Sequence, residues 1–133
     1  MKLRKIILDI DRGFSFHPFV VIPKWAITIG NEASYLAHET VHWQRQKSFF
    51  RAIVWVIMYF TSKKFRFTEE VIAYGAQLKV QAAKDGLSVD RYYDHLALSL
   101  SSEYWGMCTF AEARAALVFD VQADGLPAKK VTK

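Results

Sequence analysis

Apolar and polar residues first alternate in short runs and then recur at helical spacing. Residues 3–10 are rich in isoleucine and leucine and predict a first strand. Arg12-Gly13 marks a turn, and His17-Pro18 is expected to be extended because proline restricts the residue before it. Phe19 to Ile22 is a short apolar strand ended by Pro23, and Trp25-Ala26-Ile27-Thr28-Ile29 predicts another, closed by Gly30. From Asn31 the pattern is helical, with Asn31 as N-cap, Glu32 in the first turn and Leu36, Ala37 and Val41 on one side. No proline interrupts the chain until well past residue 60.

Residues 49–60 (FFRAIVWVIMYF) form the most hydrophobic stretch. They predict a helix buried against the one before it. The alternatives are an exposed patch docking on a partner protein, and an interfacial membrane contact anchored by Lys63, Lys64 and Arg66. Twelve residues that include Arg51 are too few for a transmembrane span, which needs about 20 apolar residues. Thr68 suits an N-cap that would place Glu69 and Glu70 in the first turn of the next helix. That helix continues through 76–83 to a stop at Asp85-Gly86. Ser88 caps a further helix carrying Tyr92, Tyr93, His95, Leu96, Leu98 and Leu100. After a turn at Gly106, the capping box Thr109-Phe110-Ala111-Glu112 opens a last helix to about Val121. Asp124-Gly125-Leu126-Pro127 breaks it. The expected fold is α+β: two or three short N-terminal strands packed on a mainly helical body of three to five helices, one domain over 1–127, and a flexible tail over 128–133.

Composition narrows the classes. At 133 residues, 52% hydrophobic and 15% aromatic, the chain has enough apolar surface for one core, and disorder is excluded except at the ends. Its one cysteine, Cys108, rules out an internal disulfide and is expected to pack as a small hydrophobe. The basic start, Met1 to Lys5, is followed by only Ile6 to Leu8 before Asp9, too short for a signal peptide. The chain is therefore expected in the cytoplasm of a host cell, or in a virion if an assembly carries it out. The net charge of +5 comes from cations spread along the chain, and only Lys63-Lys64-Phe65-Arg66-Phe67 interleaves basic and aromatic residues. Nucleic-acid binding is not expected from one such run.

The candidate chemistry lies at His38-Glu39-Thr40-Val41-His42, an H-E-x-x-H pattern. Two histidines four apart project from one helical face and can reach a single Zn²⁺ ion. Glu39 points toward the same cleft without being needed as a ligand, so it can accept a proton from water as a general base. His17 lies away from ligand spacing and reads as structural or merely exposed.

Downstream, Glu70-Val71-Ile72-Ala73-Tyr74 resembles the E-x-x-A-D run that supplies the third ligand in glutamate-type zincin peptidases, the gluzincins. With Gln44, Gln46, the aromatic connector and Gln77, residues 26–82 are similar to small phage-encoded metallopeptidase-like proteins. The resemblance implies a zincin-like fold, Zn²⁺ held by His38, His42 and Glu70 with Glu69 in reserve, and hydrolysis of a peptide or protein substrate with Glu39 as base. It also implies that the strand before the metal helix, here 26–29, borders the cleft and pairs with substrate. The chain departs from the family pattern at Arg45, Ile72 and Tyr74, where glutamine, an acidic residue and aspartate are common. Tyr74, Tyr92, Tyr93 and His95 are the candidate oxyanion donors. The competing reading is a non-catalytic, zinc-stabilised structural protein of a virion or tail, contacting other virion proteins through 49–60.

Overall fold

In a computed structural model, which describes residues 2–125, three strands open the chain. They are β1 (Arg4–Leu8), β2 (Phe14–Phe16) and β3 (Phe19–Pro23), in the order β1-β3-β2, with β1 parallel and β2 antiparallel to β3. The central strand is the apolar one, with Val20, Val21 and Ile22 buried, as a strand covered on both faces requires. His17 and Pro18, joined by a cis peptide bond, are the two-residue turn between β2 and β3 rather than an extended segment.

Residues 24–28 are helix α1 (Lys24–Thr28), not the expected strand. Strand propensity measures fit to a pleated, half-buried surface, and here packing decides otherwise. The helical turn drives Ala26 fully into the cluster formed by Val20 and Ile22, while Trp25 Nε1 donates to the Asp11 carbonyl at 2.9 Å.

Asn31 occupies the N-cap position of α2 (Glu32–Gln46), as expected, but its side chain does not cap; Asn31 Oδ1 accepts from Lys84 Nζ at 3.3 Å. The chain breaks at Lys47, where φ is 71°, and Ser48 caps α3 (Phe49–Thr61) by accepting from the Arg51 amide. Ser62 then caps α4 (Lys63–Asp85) through the Phe65 amide. Thr68 is therefore no N-cap. It lies inside α4 with its hydroxyl donating back to the Lys64 carbonyl, and Glu69 and Glu70 are mid-helix residues.

The second half of the chain follows its local signals. Gly86 ends α4 at a φ of 67°, a left-handed position that glycine occupies without a Cβ penalty. Ser88 caps a 3₁₀ turn (Val89–Tyr92) that leads into α5 (Tyr93–Ser102). The capping box before α6 (Phe110–Gly125) is reciprocal: Thr109 N donates to Glu112 Oε1 at 2.9 Å and Glu112 N to Thr109 Oγ1 at 3.1 Å. Leu78, Leu96, Leu100 and Leu117 join α4, α5 and α6 in the main core. Cys108 packs half-buried beside it.

The fold is α+β. It has six helices among the described residues rather than three to five, because 24–28 is helical. The last helix, expected to end near Val121 before a break at Asp124-Gly125-Leu126-Pro127, runs on through Gly125; Leu126-Pro127 and the tail 128–133 lie outside the described residues.

The expected burial of 49–60 is overturned. Only Ala52 of α3 is fully enclosed, while Phe50 is 79% and Phe60 62% exposed. The metal-motif helix packs directly against α4, which leaves α3 along the outside of that pair. No helix among the described residues is long and apolar enough to cross a membrane.

Candidate metal centre

The buried residues of α2 are Ser34, His38, Glu39, His42 and Gln46, all of them polar. Burial of such groups costs free energy unless they find partners. The facing side of α4 answers with Glu69, Glu70, Tyr74 and Gln77. Glu70 reaches between the two histidines: His38 Nε2 lies 3.1 Å from Glu70 Oε1, and His42 Nε2 lies 3.2 Å from Glu70 Oε2. One ligand atom from each residue lies within 4.8 Å of the others, so His38, His42 and Glu70 form a buried group that could hold a metal ion. Two donors at about 2.0–2.1 Å from one tetrahedral zinc stand roughly 3.3 Å apart, close to both distances. Glu70 Oε1 is also buried with no hydrogen-bond partner among the described residues.

The protonation states follow from the crowding. Burial alone would favour a neutral Glu70, but His42 and His38 outweigh it and hold the carboxyl well below the usual range. For His38, burial opposes the cation, while Glu70 and Glu39 more than restore it and raise the pKa. Without metal, the Glu70 carboxylate is thus held by the imidazole beside it.

Glu39 sits next to this group without joining it, its Oε2 3.9 Å from His38 Nε2. Burial raises its carboxyl, against the pull of both histidines. The Ser15 hydroxyl donates to the Glu39 carbonyl at 2.5 Å and lies 3.4 Å from Glu39 Oε1. Gly13 makes that approach possible: a Cβ there would stand 3.3 Å from Glu39 Oε2 and 2.7 Å from the Val21 carbonyl oxygen. Gln46 fixes β2 to the same helix, its Nε2 donating to Ser15 O and its Oε1 accepting from His17 N. His17 is buried and stacked on Trp43 at 4.5 Å, so it is structural.

Glu69 is not available as a reserve ligand. Its carboxylate accepts both oxygens' worth of bonds from Arg45 Nε at 2.8 Å, and Trp55 Nε1 donates to Oε1 at 2.8 Å. Arg45, at the position where the resembled family often has glutamine, thereby ties the end of α2 to α4.

Aromatic rings, not carboxylates, orient the histidines. Tyr74 packs edge-on against His38 at 4.4 Å and Trp55 leans on His42 at 5.1 Å, while both Nδ1 atoms are buried with no hydrogen-bond partner among the described residues. Tyr59, from α3, donates its hydroxyl to Glu70 Oε2 at 2.5 Å. Tyr74 and Tyr104 share a hydrogen bond of 2.8 Å between their hydroxyls. Burial, reinforced by the Glu70 carboxylate, raises the pKa of all three phenols, so they remain protonated donors.

The group opens onto a cavity of about 1140 Å³ between β2, α3, α4 and α5. Of the candidate oxyanion donors, Tyr74 lines it and His95 lies exposed at its rim. Tyr92 instead bonds Asp85 at the surface, and Tyr93 is in the main core. Tyr59, Tyr104, Trp55 and Ser15 were missed in sequence because each arrives from another element, at no spacing tied to the motif. The expected substrate edge at 26–29 is lost with the strand itself, and β2 is the strand that borders the cavity. No family model, curated protein or solved structure matches the chain.

Proposed function

We propose that the chain is a zinc-dependent peptide-bond hydrolase of gluzincin type, with His38, His42 and Glu70 as ligands and Glu39 as general base. The similarity of residues 26–82 to small phage-encoded zincins points to a phage or virion setting. What carries the proposal is one observation: Glu70 meets both Nε2 atoms from another helix, while Glu39 faces the same cavity and is left off the ligand set. A site built only to bind metal has no use for that spare buried carboxyl.

Bound zinc would supply a polarised carbonyl and an acidified water. The protein's own residues do the rest. His38 and His42 present Nε2, each ring held by an aromatic neighbour, and Glu70 brings the negative charge that fits a divalent cation. Glu39 takes a proton from water at its free oxygen and returns it to the leaving nitrogen; its raised pKa brings the carboxyl nearer to neutrality, where such a shuttle works best. The Tyr74–Tyr104 pair offers a neutral donor on the cavity wall for developing negative charge.

A second reading has the cation only tie α2 to α4 in a structural or interaction protein, and the exposed apolar side of α3 favours it. Metal content and proteolysis of the purified protein and of Glu39→Gln separate the two. The hydrolase keeps about one zinc per chain in both forms and loses proteolysis on the change. Zinc in both forms with proteolysis in neither would leave the structural reading.

A further inference from the structure

The solvent side of α3 is apolar along its whole length. Phe50, Ile53, Val54, Ile57, Met58 and Phe60 are 42 to 79% exposed, and the exposed polar residues of the helix, Arg51 and Thr61, stand near its two ends. Trp105, 62% exposed, extends the patch with its ring 5.7 Å from Phe60. Contiguous apolar surface of this kind is kept small on monomeric proteins unless something covers it.

The charges around the patch indicate what covers it. Lys47 and Arg51 lie at one end of α3 and Lys63 and Lys64 at the other, all exposed and none paired with an acid among the described residues. Residues 40–68 contain no Asp or Glu at all. Arg66 is not part of this set, because it is buried, donates to the Tyr59 carbonyl at 2.7 Å and lies under Trp105.

We propose that α3 docks on an anionic membrane surface. It lies in the plane of the headgroups with Phe50, Val54 and Ile57 among the acyl chains and the four cations at lipid phosphates. Thirteen residues make a helix of about 20 Å, which suits lying along a bilayer and not crossing it. A second copy of this chain fits less well. Both ends of α3 are basic, so pairing in either direction sets like charges together.

Docking has a consequence for the cavity, because the inner side of α3 carries Trp55 and Tyr59, which touch His42 and Glu70. Phe60 and Trp105 belong both to the patch and to the cavity wall, so a docked α3 brings the mouth of the cavity to the lipid surface.

Vesicle flotation of the full chain tests the proposal and does not depend on metal or activity. The chain is expected to float with vesicles of equal parts phosphatidylcholine and phosphatidylglycerol at low salt, and far less with phosphatidylcholine alone. Val54→Glu with Ile57→Glu should abolish flotation while the circular dichroism spectrum is kept, since each position is 57% exposed. Lys63→Gln with Lys64→Gln, which leaves the apolar side intact, should weaken partitioning about 25-fold, about fivefold per charge. No flotation with the anionic vesicles, or equal flotation with neutral ones, overturns the proposal. So does a lipid-free dimer in sedimentation velocity that Ile57→Glu dissociates, which would assign the face to a second copy.

Discussion

The Tyr59 hydroxyl donates to Glu70 Oε2 at 2.5 Å from a helix that ends before α4 begins. It thereby ties α3 to the carboxylate that sits between His38 and His42. Hydrogen-bond partners of metal ligands orient them, and their loss commonly costs 10- to 100-fold in affinity. Tyr59→Phe keeps the ring stacked on Trp55 and removes only the donor. Zinc affinity measured against a competing chelator is expected to fall roughly tenfold or more, with the unfolding temperature of the metal-free protein little changed.

Glu69 and Glu70 are adjacent in sequence and should behave as opposites. Glu70→Gln is expected to lose zinc, whereas Glu69→Gln should keep about one zinc per chain, because Glu69 is committed to Arg45 and Trp55. Arg45→Ala strands a buried carboxylate. Its cost in chemical denaturation should be about 2 kcal/mol, less than the ~3–5 of a fully buried pair, since the Arg45 side chain is 42% exposed. Loss of zinc by Glu69→Gln would return it to the ligand set.

Without metal, the stability of the protein should peak in mildly acidic solution. The folded-state pKa of Glu70 is lowered, so its contribution is present above the unfolded value of about 4.3 and is lost as pH falls further. His38 and Glu39 are raised. Their contributions are complete below their unfolded values, about 6.5 and about 4.3, and are lost as pH rises through the folded ones. Thermal unfolding of chelator-treated protein between pH 3 and 9 should therefore decline on both sides of a maximum near the unfolded carboxylate value of about 4.3, with Glu39 contributing to the alkaline decline from there and His38 from about 6.5. Zinc binds neutral imidazole, so adding it should remove most of the alkaline decline and release protons on binding. A flat profile in the chelated protein would contradict the charge coupling described for the cluster.

The two apolar parts of the chain should answer mutation differently. Leu100 is fully buried in the α4–α6 core, and Leu100→Ala should cost about 3 kcal/mol in denaturant unfolding. Phe50→Ser, at the most exposed apolar position, should stay within ~0.5 kcal/mol. A cost for Phe50→Ser comparable to that for Leu100→Ala would mean that α3 is enclosed in solution.

Several local signals in the sequence were legible because the deciding partner is a few residues away, although the cap expected at Thr68 belongs instead to Ser62. The i, i+4 pair His38 and His42, the capping box of Thr109 and Glu112, the left-handed stop at Gly86 and the short strand after Pro18 all depend on near neighbours, and all are in place. Glu70 was legible only through the short run that follows it, not through any rule of spacing.

Tertiary structure decided the rest, because the deciding partners are distant in sequence. Packing of Ala26 against β3 made a helix of a strand-like segment, and the direct contact of α2 with α4 put the most hydrophobic helix on the outside. Arg45 turned Glu69 from a possible ligand into a brace, and Tyr59 from α3 and Tyr104 from the bend after α5 entered the cavity from segments that carry no trace of the motif. A pattern along the chain fixes which face of a helix a residue occupies; what that face meets depends on how the helices are stacked.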